Sequence, residues 1–207
     1  HLLCLENTHN GKVINNDYLA EAVSFAKKHN LKIHLDGARV FNAAVAQNLD
    51  VKSITSQFDS VSICCSKGLG APVGSLLAGS DEFIKSAHRW RKMVGGGMRQ
   101  SGILAAAIDF ALDNNIERLA LDHQNTEFLA AKLAKIDKLK INSPQTNMLF
   151  VDLGDSVDPK KLSQFMQAKE ILISPANKLR LVTHLNINRK DCEKVVAAFI
   201  EYFQELK

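Results

Sequence analysis

The sequence predicts an α/β fold, in which a mostly parallel sheet with helices on both faces is followed by a small α+β domain. Short apolar runs typical of buried strands alternate with longer segments whose apolar residues recur at helical spacing. The order strand, helix, strand, helix, strand is the pattern that builds a parallel sheet through helical crossovers. The alternation changes beyond residue 114, which indicates a second domain.

The first predicted domain comprises residues 1–114. Four segments have the composition and length of strands: 2–5, 31–36, 59–65 and 74–78. Helices are expected at 41–46, at 81–91, and from a cap at Asn16 or Asp17 to residue 28. Asn10-Gly11 predicts a tight turn, and a long helical region at 102–136 is interrupted at Asn114-Asn115, where we place the domain boundary.

The second predicted domain comprises residues 115–207. Its strands are expected at 147–153, 170–173 and 178–183, and a helix at 158–169. The last helix has apolar residues at regular helical spacing, and Asn188 is suited to cap its start.

Composition and charge exclude several classes of function. The formal net charge is +4 and the pI about 8.9, but the basic residues are scattered except for a cluster at 88–92. That cluster is too small to indicate a nucleic-acid surface. No apolar run approaches the roughly 20 residues that cross a membrane, and no signal peptide is visible. A small molecule is therefore the expected partner.

The four cysteines, Cys4, Cys64, Cys65 and Cys192, lack the paired spacing of a zinc site. We expect free thiols, a reducing compartment and hence a cytoplasmic location, with no metal centre. The sequence begins at His1, without a methionine, and enters a strand directly. We therefore expect it to be a fragment of a longer protein.

Two residues suggest cofactor chemistry. Asp36 ends one predicted strand and Lys67 follows another, 31 residues later, which is a natural length for one crossover unit. In a parallel sheet both would emerge at the edge where α/β folds bind ligands. Pyridoxal phosphate (PLP) needs such a pair: a lysine for its aldehyde and an acid for its ring nitrogen. A solvated loop lysine and a helix-capping aspartate remain the alternative interpretation.

Small residues surround Lys67, among them Ser66, Gly68 and Gly70, and they leave room for a cofactor. The spacing does not match a phosphate-binding loop, since Lys67 precedes the glycines. Arg39 should lie at the same rim as Asp36. Arg180 interrupts an apolar strand, where it needs an anionic partner. That partner is either a substrate carboxylate or an acidic side chain of the protein.

Five stretches, in this order along the chain, resemble the low-specificity L-threonine aldolases. They are LENTHNG at 5–11, HLDGAR at 34–39, SKGLGAPVGS at 66–75, RWRKM with GGGMRQSG at 89–102, and RLVTH at 180–184. The resemblance implies the large domain of a fold-type I PLP enzyme, followed by its small C-terminal domain. It also implies cleavage of threonine and allo-threonine to glycine and acetaldehyde.

The resemblance also implies roles for single residues. Lys67 would hold PLP as a Schiff base, Asp36 would pair with the pyridine nitrogen, and Ser66 would lie beside the cofactor. Arg39 and Arg180 would hold the substrate carboxylate. The remaining two basic residues match positions that the family brings to the cofactor from a neighbouring subunit of a homotetramer: Lys92 and Arg99.

The family carries its phosphate-binding loop and a ring-stacking histidine in a segment that precedes the strand opening this sequence. His9, His34 and His184 do not replace that histidine, and His34 is expected to be a packed side chain. Two rival interpretations stay open. One is another fold-type I activity, such as β-elimination or hydroxymethyl transfer, and the other is an inactive structural fragment.

Overall fold

The computed structural model describes residues 1–205 and divides the chain into two compact units. The first unit is His1–Leu119, and the second begins at Ala120. The sequence placed the boundary at residue 114, within a long helical region; the structure divides the chain after Leu119, the first residue of the helix Leu119–Leu133.

The first unit is built on a four-stranded sheet of β1 (Leu2–Glu6), β2 (Lys32–Asp36), β3 (Ser60–Cys64) and β4 (Ser75–Gly79), in that order. The first three strands are parallel and β4 is antiparallel to β3. The change of direction follows from the short connection at 65–74, because a parallel return needs about a dozen residues or more. The predicted mostly parallel α/β sheet is confirmed, and the antiparallel β4 makes it a mixed sheet.

Five helices accompany this sheet in the first unit. They are α1 (Asn16–Lys28), α2 (Val40–Gln47), α3 (Val51–Thr55), α4 (Asp81–Met93) and α5 (Gly102–Asn115). The cap of α1 is Asn15, whose side chain accepts from the backbone of Asp17, so the predicted cap was one or two residues too late. The short helix α3 was not predicted.

The two sides of β2 have different environments. Ile33 and Leu35 are buried in the core of the first unit, together with Leu19 and Ala26 of α1. The alternating residues His34 and Asp36 are half-buried and exposed, respectively. Successive side chains of a strand point to opposite faces, so burial of Ile33 and Leu35 leaves Asp36 on the accessible face.

The second unit contains a three-stranded antiparallel sheet of β5 (Lys140–Ile141), β6 (Met148–Asp152) and β7 (Lys178–Val182), with β6 in the centre. Three helices complete it. They are α6 (Leu119–Leu133), which starts at the boundary, α7 (Pro159–Ala168) and α8 (Arg189–Glu205). The two-residue strand β5 was not predicted.

The predicted strand at 170–173 is wrong, because residues 171–176 have no regular structure. The backbone of this segment closes α7 instead of joining the sheet. Glu170 adopts a left-handed conformation (φ 60), and the Ile171 amide donates to the Met166 carbonyl at 3.0 Å. This is a common way to end a helix. Leu172 is left 84% exposed.

The cap of α8 forms as the sequence predicts. The Asn188 side chain accepts from the backbone amides of Lys190 at 2.8 Å and Asp191 at 3.1 Å. Asp191 returns the contact, since its carboxylate accepts from the Asn188 amide at 2.8 Å. Such reciprocal capping satisfies amides that the first helical turn cannot pair.

Gly37 allows the chain to turn directly after β2. Its amide donates to the Ser62 carbonyl at 2.7 Å, and a Cβ on Gly37 would lie 2.9 Å from that same oxygen. We expect Gly37→Ala to lower the free energy of unfolding by about 1–3 kcal/mol, measured by urea denaturation. Gly102→Ala is the control, because its Cβ would meet no atom within 4 Å. An equal effect of both substitutions would contradict this account of Gly37.

Candidate active site

Asp36 lies at the carboxyl edge of the parallel sheet. As the last residue of β2, it is paired in register with Glu6 of β1 and Ser62 of β3. One carboxylate oxygen accepts from the Ala38 amide at 3.0 Å. The local backbone therefore orients the carboxylate, and its exposed position leaves it accessible to a ligand at this edge.

Lys67 follows β3 at the same edge, because β2 and β3 run in the same direction. The loop that carries it is closed by two backbone contacts, from Gly70 to the Lys67 carbonyl and from Ala71 to the Cys65 carbonyl, both at 2.9 Å. Gly70 has a φ of 76, which favours glycine. Within the described residues the exposed Lys67 amine makes no hydrogen bond or ion pair.

The end of α5 anchors the Lys67 loop. Asn115 donates its side-chain amide to the Leu69 carbonyl at 2.7 Å, and the Arg118 guanidinium lies 3.5 Å from the Gly68 carbonyl. Gly68 and Leu69 are buried while Lys67 is exposed. These contacts hold the buried part of the loop in place while Lys67 stays accessible. Sequence reasoning missed this role, because the asparagines were interpreted only as a helix break.

The pKa of the Cys64 thiol reflects the positive charge of the nearby Lys67. Burial raises the pKa of the Cys64 thiol, but hydrogen bonds with Ser66 and the nearby positive charge of Lys67 outweigh burial and lower the pKa below its ordinary value. The Sγ atom lies 3.4 Å from the Ser66 hydroxyl. The field at this edge therefore favours negative charge next to the lysine.

The loop that follows β1 begins at the same edge of the sheet, because β1 is parallel to β2. His9 and Lys12 exchange backbone hydrogen bonds at 2.9 Å around the predicted Asn10-Gly11 turn, in which both residues have positive φ. The Asn7 side chain holds the loop by accepting from the Ile14 amide at 3.2 Å. The Glu6 carboxylate, one strand away from Asp36, contacts the His9 ring.

Two further residues of the HLDGAR stretch lie close to Asp36 in the sequence. Arg39 is half-buried and immediately precedes α2, three residues after Asp36. His34 is half-buried, and its Nδ1 lies 2.8 Å from the Ser60 hydroxyl on the neighbouring strand. His34 is therefore held by its neighbour in the sheet.

Arg180 belongs to the second unit and is exposed on β7. The apolar run around Arg180 suggested that this arginine is buried. In the structure β7 is an edge strand, and the buried residue is the adjacent Leu179, which points to the opposite face. Arg180 lines a groove of about 650 Å³ with Ile173, Ser174 and His184. Among the described residues, its guanidinium has no carboxylate partner and no hydrogen bond.

Lys92 and Arg99 are exposed near the end of α4. Lys92 lies in the last turn of that helix, where its charge complements the helix dipole. Gly97 packs so closely that a Cβ there would meet the Lys92 side chain at 2.3 Å. Both cations therefore flank a glycine-rich bend, and neither makes a hydrogen bond or ion pair within residues 1–205.

Clusters of metal-binding side chains and membrane-spanning helices are both absent from residues 1–205. No group of three or more His, Cys, Asp or Glu side chains there could hold a metal ion. No helix in that range is both long and apolar enough to span a membrane.

The groups at this edge fit the ring of PLP. The Asp36 carboxylate can accept from a protonated ring nitrogen, and the Lys67 amine can bond covalently to the aldehyde carbon. Both are accessible, and the small residues around Lys67 leave space above the backbone. The fold and the edge thus define an α/β protein of the PLP-binding class.

The chain belongs to the beta-eliminating lyase family, whose pattern its residues 1–156 match. It is 51% identical over 196 residues to the low specificity L-threonine aldolase of Escherichia coli (strain K12), covering 95% of this chain and 58% of that protein. It is 42% identical over 213 residues to the probable low-specificity L-threonine aldolase 2 of Arabidopsis thaliana, with 98% and 59% coverage. The chain therefore spans less than two thirds of these relatives.

Solved structures establish the fold. The putative L-allo-threonine aldolase of Listeria monocytogenes EGD-E superposes with a TM-score of 0.80 at 22% identity, over 97% of this chain and 60% of that one. The Leishmania major threonine aldolase gives 0.78 at 20% identity, over 98% and 61%. The predicted fold-type I architecture and the predicted resemblance are confirmed, and with them PLP as the cofactor of the family.

Proposed function

We propose that the whole protein is a PLP-dependent aldehyde-lyase that cleaves L-threonine and L-allo-threonine to glycine and acetaldehyde. One observation carries this proposal: Asp36 and Lys67 occupy the same ligand-binding edge in a chain 51% identical to a low specificity L-threonine aldolase. The identity extends over 95% of this chain, so it includes both units.

Lys67 and Asp36 would act on different parts of the cofactor, the aldehyde and the ring nitrogen. PLP, when bound, supplies an electron sink for the bond that breaks between Cα and Cβ. Lys67 would hold the cofactor through its amine and is free to do so, since nothing in the described part of the chain pairs with it. Asp36 would keep a proton on the ring nitrogen, and its contact with Ala38 holds the carboxylate in place for that role.

Arg39 and Arg180 would bind the substrate carboxylate. A guanidinium holds a carboxylate through two parallel hydrogen bonds, which would fix the amino acid and orient its Cα–Cβ bond for cleavage. The lack of an acidic partner for Arg180 among the described residues supports this role.

The active enzyme would be a homo-oligomer, a dimer or a homotetramer, with shared sites. An apolar stripe at the end of α4 consists of Trp90, Met93 and the following Val94, which are 61%, 65% and 79% exposed. Stripes of this kind usually mark an interface. Lys92 and Arg99 flank the stripe, so a copy docked there would receive two cations, as the family resemblance implies for the cofactor site.

The proposed reaction connects threonine breakdown with glycine formation. A cytoplasmic location fits this role. The free thiols of Cys4, Cys64, Cys65 and Cys192 support a reducing compartment.

The test of this proposal is a product assay on the whole protein loaded with PLP. We expect L-threonine and L-allo-threonine to yield acetaldehyde and glycine in equal amounts, with a visible absorbance from the bound cofactor. Aldehyde oxidation coupled to a dehydrogenase measures the rate. Absence of acetaldehyde from both substrates, in a preparation that holds the cofactor, would falsify the proposal.

A second candidate is β-elimination, which the family's description favours. Lys67 and Asp36 would serve both reactions, so they do not discriminate between them. Elimination from serine would release pyruvate and ammonia, whereas aldol cleavage releases glycine and an aldehyde. The same assay therefore decides, once pyruvate and ammonia are measured beside acetaldehyde. Hydroxymethyl transfer would instead require a folate acceptor and transfer a one-carbon unit from serine.

A further inference from the structure

A buried polar cluster lies at the end of β7, three residues beyond Arg180. The Thr183 hydroxyl donates to the Asp122 carbonyl at 2.7 Å and lies 2.7 Å from the Thr126 hydroxyl. The Thr126 hydroxyl reaches the same Asp122 carbonyl at 2.9 Å. All three residues are at least 98% buried. The end of β7 is thereby tied to α6 by side-chain contacts rather than by the sheet.

The Thr183 backbone is bound as well. Its amide donates to the Asn147 carbonyl at 3.0 Å, and its carbonyl accepts from the Asn147 side chain at 3.0 Å. Thr183 thus uses its amide, its carbonyl and its hydroxyl, and all of their partners lie within the second unit.

This anchoring matters because β7 is an edge strand, paired on one side only with β6. A slip of one residue along β6 would exchange the faces of every β7 side chain. In the observed register Leu179 is buried while Arg180 is exposed to the groove. Thr183 therefore fixes which face of the strand presents the guanidinium.

His184 follows the anchor and lines the same groove as Arg180. Its Nδ1 accepts from the Asn186 amide at 3.3 Å, so in the neutral ring the proton sits on Nε2. The turn is closed by the Ile187 amide, which donates to the His184 carbonyl at 2.8 Å, and by Asn125, which donates to the Ile187 carbonyl at 3.1 Å. His184 is thus oriented as a second donor beside the guanidinium.

We infer that Thr183 is a positioning residue for a carboxylate-binding site on β7, acting through Arg180 and His184. The inference rests on the proposed function, in which that carboxylate belongs to the amino-acid substrate. Thr183 does not touch the substrate; it holds the strand in the register and orientation that present the two donors together.

The experiment compares Thr183→Val with Thr183→Ser in the whole protein. Valine keeps the volume but removes the hydroxyl, so the end of β7 loosens. We expect KM for threonine and the dissociation constant of glycine to rise about 3- to 10-fold, the scale of one lost hydrogen bond. We expect kcat to stay within about twofold, since Lys67 and Asp36 are untouched. Serine restores the hydroxyl and should restore both constants.

Thr55→Val is the matched control, because it removes a hydroxyl that donates to the Val51 carbonyl at 3.1 Å in α3, in the first unit. It should leave KM and glycine binding unchanged. If Thr183→Val does not fold, Thr126→Val replaces it, since that variant removes both contacts of the Thr126 hydroxyl and leaves the Thr183–Asp122 bond in place.

The outcomes separate the two proposals. An inactive wild type that binds no glycine refutes the proposed function. An active wild type whose Thr183→Val variant matches Thr55→Val in KM and glycine binding refutes only the role of Thr183. A fall in kcat without a change in KM also refutes it, because positioning of a carboxylate acts through binding. Elevated constants that serine rescues establish it.

Discussion

Lys67→Ala is expected to abolish threonine cleavage, with a loss of at least about 10⁴-fold in kcat, the scale seen when a covalent nucleophile is removed. Lys67 supplies the amine beside Asp36 at the sheet edge, and alanine offers nothing that could bond to the cofactor's aldehyde. The visible absorbance of the bound cofactor should disappear together with acetaldehyde release. Absorbance spectra and the coupled aldehyde assay measure both effects on the same sample.

Lys85→Ala is the matched control, because Lys85 is an exposed lysine in α4 that the proposal does not use. The control should keep the spectrum and the rate of the wild type. Without cofactor, the thermal midpoint of Lys67→Ala should stay close to that of the cofactor-free wild type, since Lys67 makes no hydrogen bond or ion pair in the described residues. Retained cleavage and an unchanged spectrum in Lys67→Ala would remove the basis of the proposed function.

The sheet edge could be predicted because it follows from short-range rules. Apolar runs specify β2 and β3, their separation requires a crossover, and a crossover makes them parallel. Asp36 and Lys67 then emerge together without any knowledge of the contacts around them. The side chains that anchor the Lys67 loop could not be predicted this way, because Asn115 and Leu69 are 46 residues apart in the sequence.

Two errors in the second unit both arise from tertiary context. Residues 170–173 have the composition of a strand, but their backbone closes α7, so tertiary context overrides local preference. Without that strand, β7 becomes the edge of the sheet. Arg180 is exposed because the core lies against the opposite face of β7, where Leu179 is buried, although an apolar run around an arginine suggests burial. The polar cluster at Thr183 was equally hidden, since its partners lie more than 30 residues away in the sequence.

Asp36→Asn is expected to lower kcat/KM for threonine by at least about 100-fold while the cofactor stays bound. That loss corresponds to truncating one partner of a desolvated charge pair. The amide keeps the shape of the side chain and can still accept from the Ala38 amide, so the turn after β2 should survive. The negative charge is lost, and with it the stabilisation of a proton on the ring nitrogen. Steady-state kinetics and the visible spectrum separate the two effects.

The pH dependence sharpens this prediction. A carboxylate beside the ring nitrogen raises the pKa of that nitrogen, so the wild type keeps the proton to higher pH than the variant does. The deficit of Asp36→Asn should therefore widen as the pH rises and narrow as it falls. Asp50→Asn is the control, because its carboxylate accepts from the Lys52 amide at 2.8 Å in the same local pattern as Asp36 with Ala38.

Loss of one charge is common to both variants, and asparagine caps a helix as well as aspartate does. Asp50→Asn should therefore match the wild type in rate, spectrum and stability. A deficit of Asp36→Asn that does not change with pH would mean that the carboxylate acts on the shape of the edge rather than on the ring nitrogen. A deficit shared by both variants would mean that net charge, and not position, is responsible. The expected pattern, a large and pH-dependent loss in Asp36→Asn alone, arises only if Asp36 is the partner of the ring.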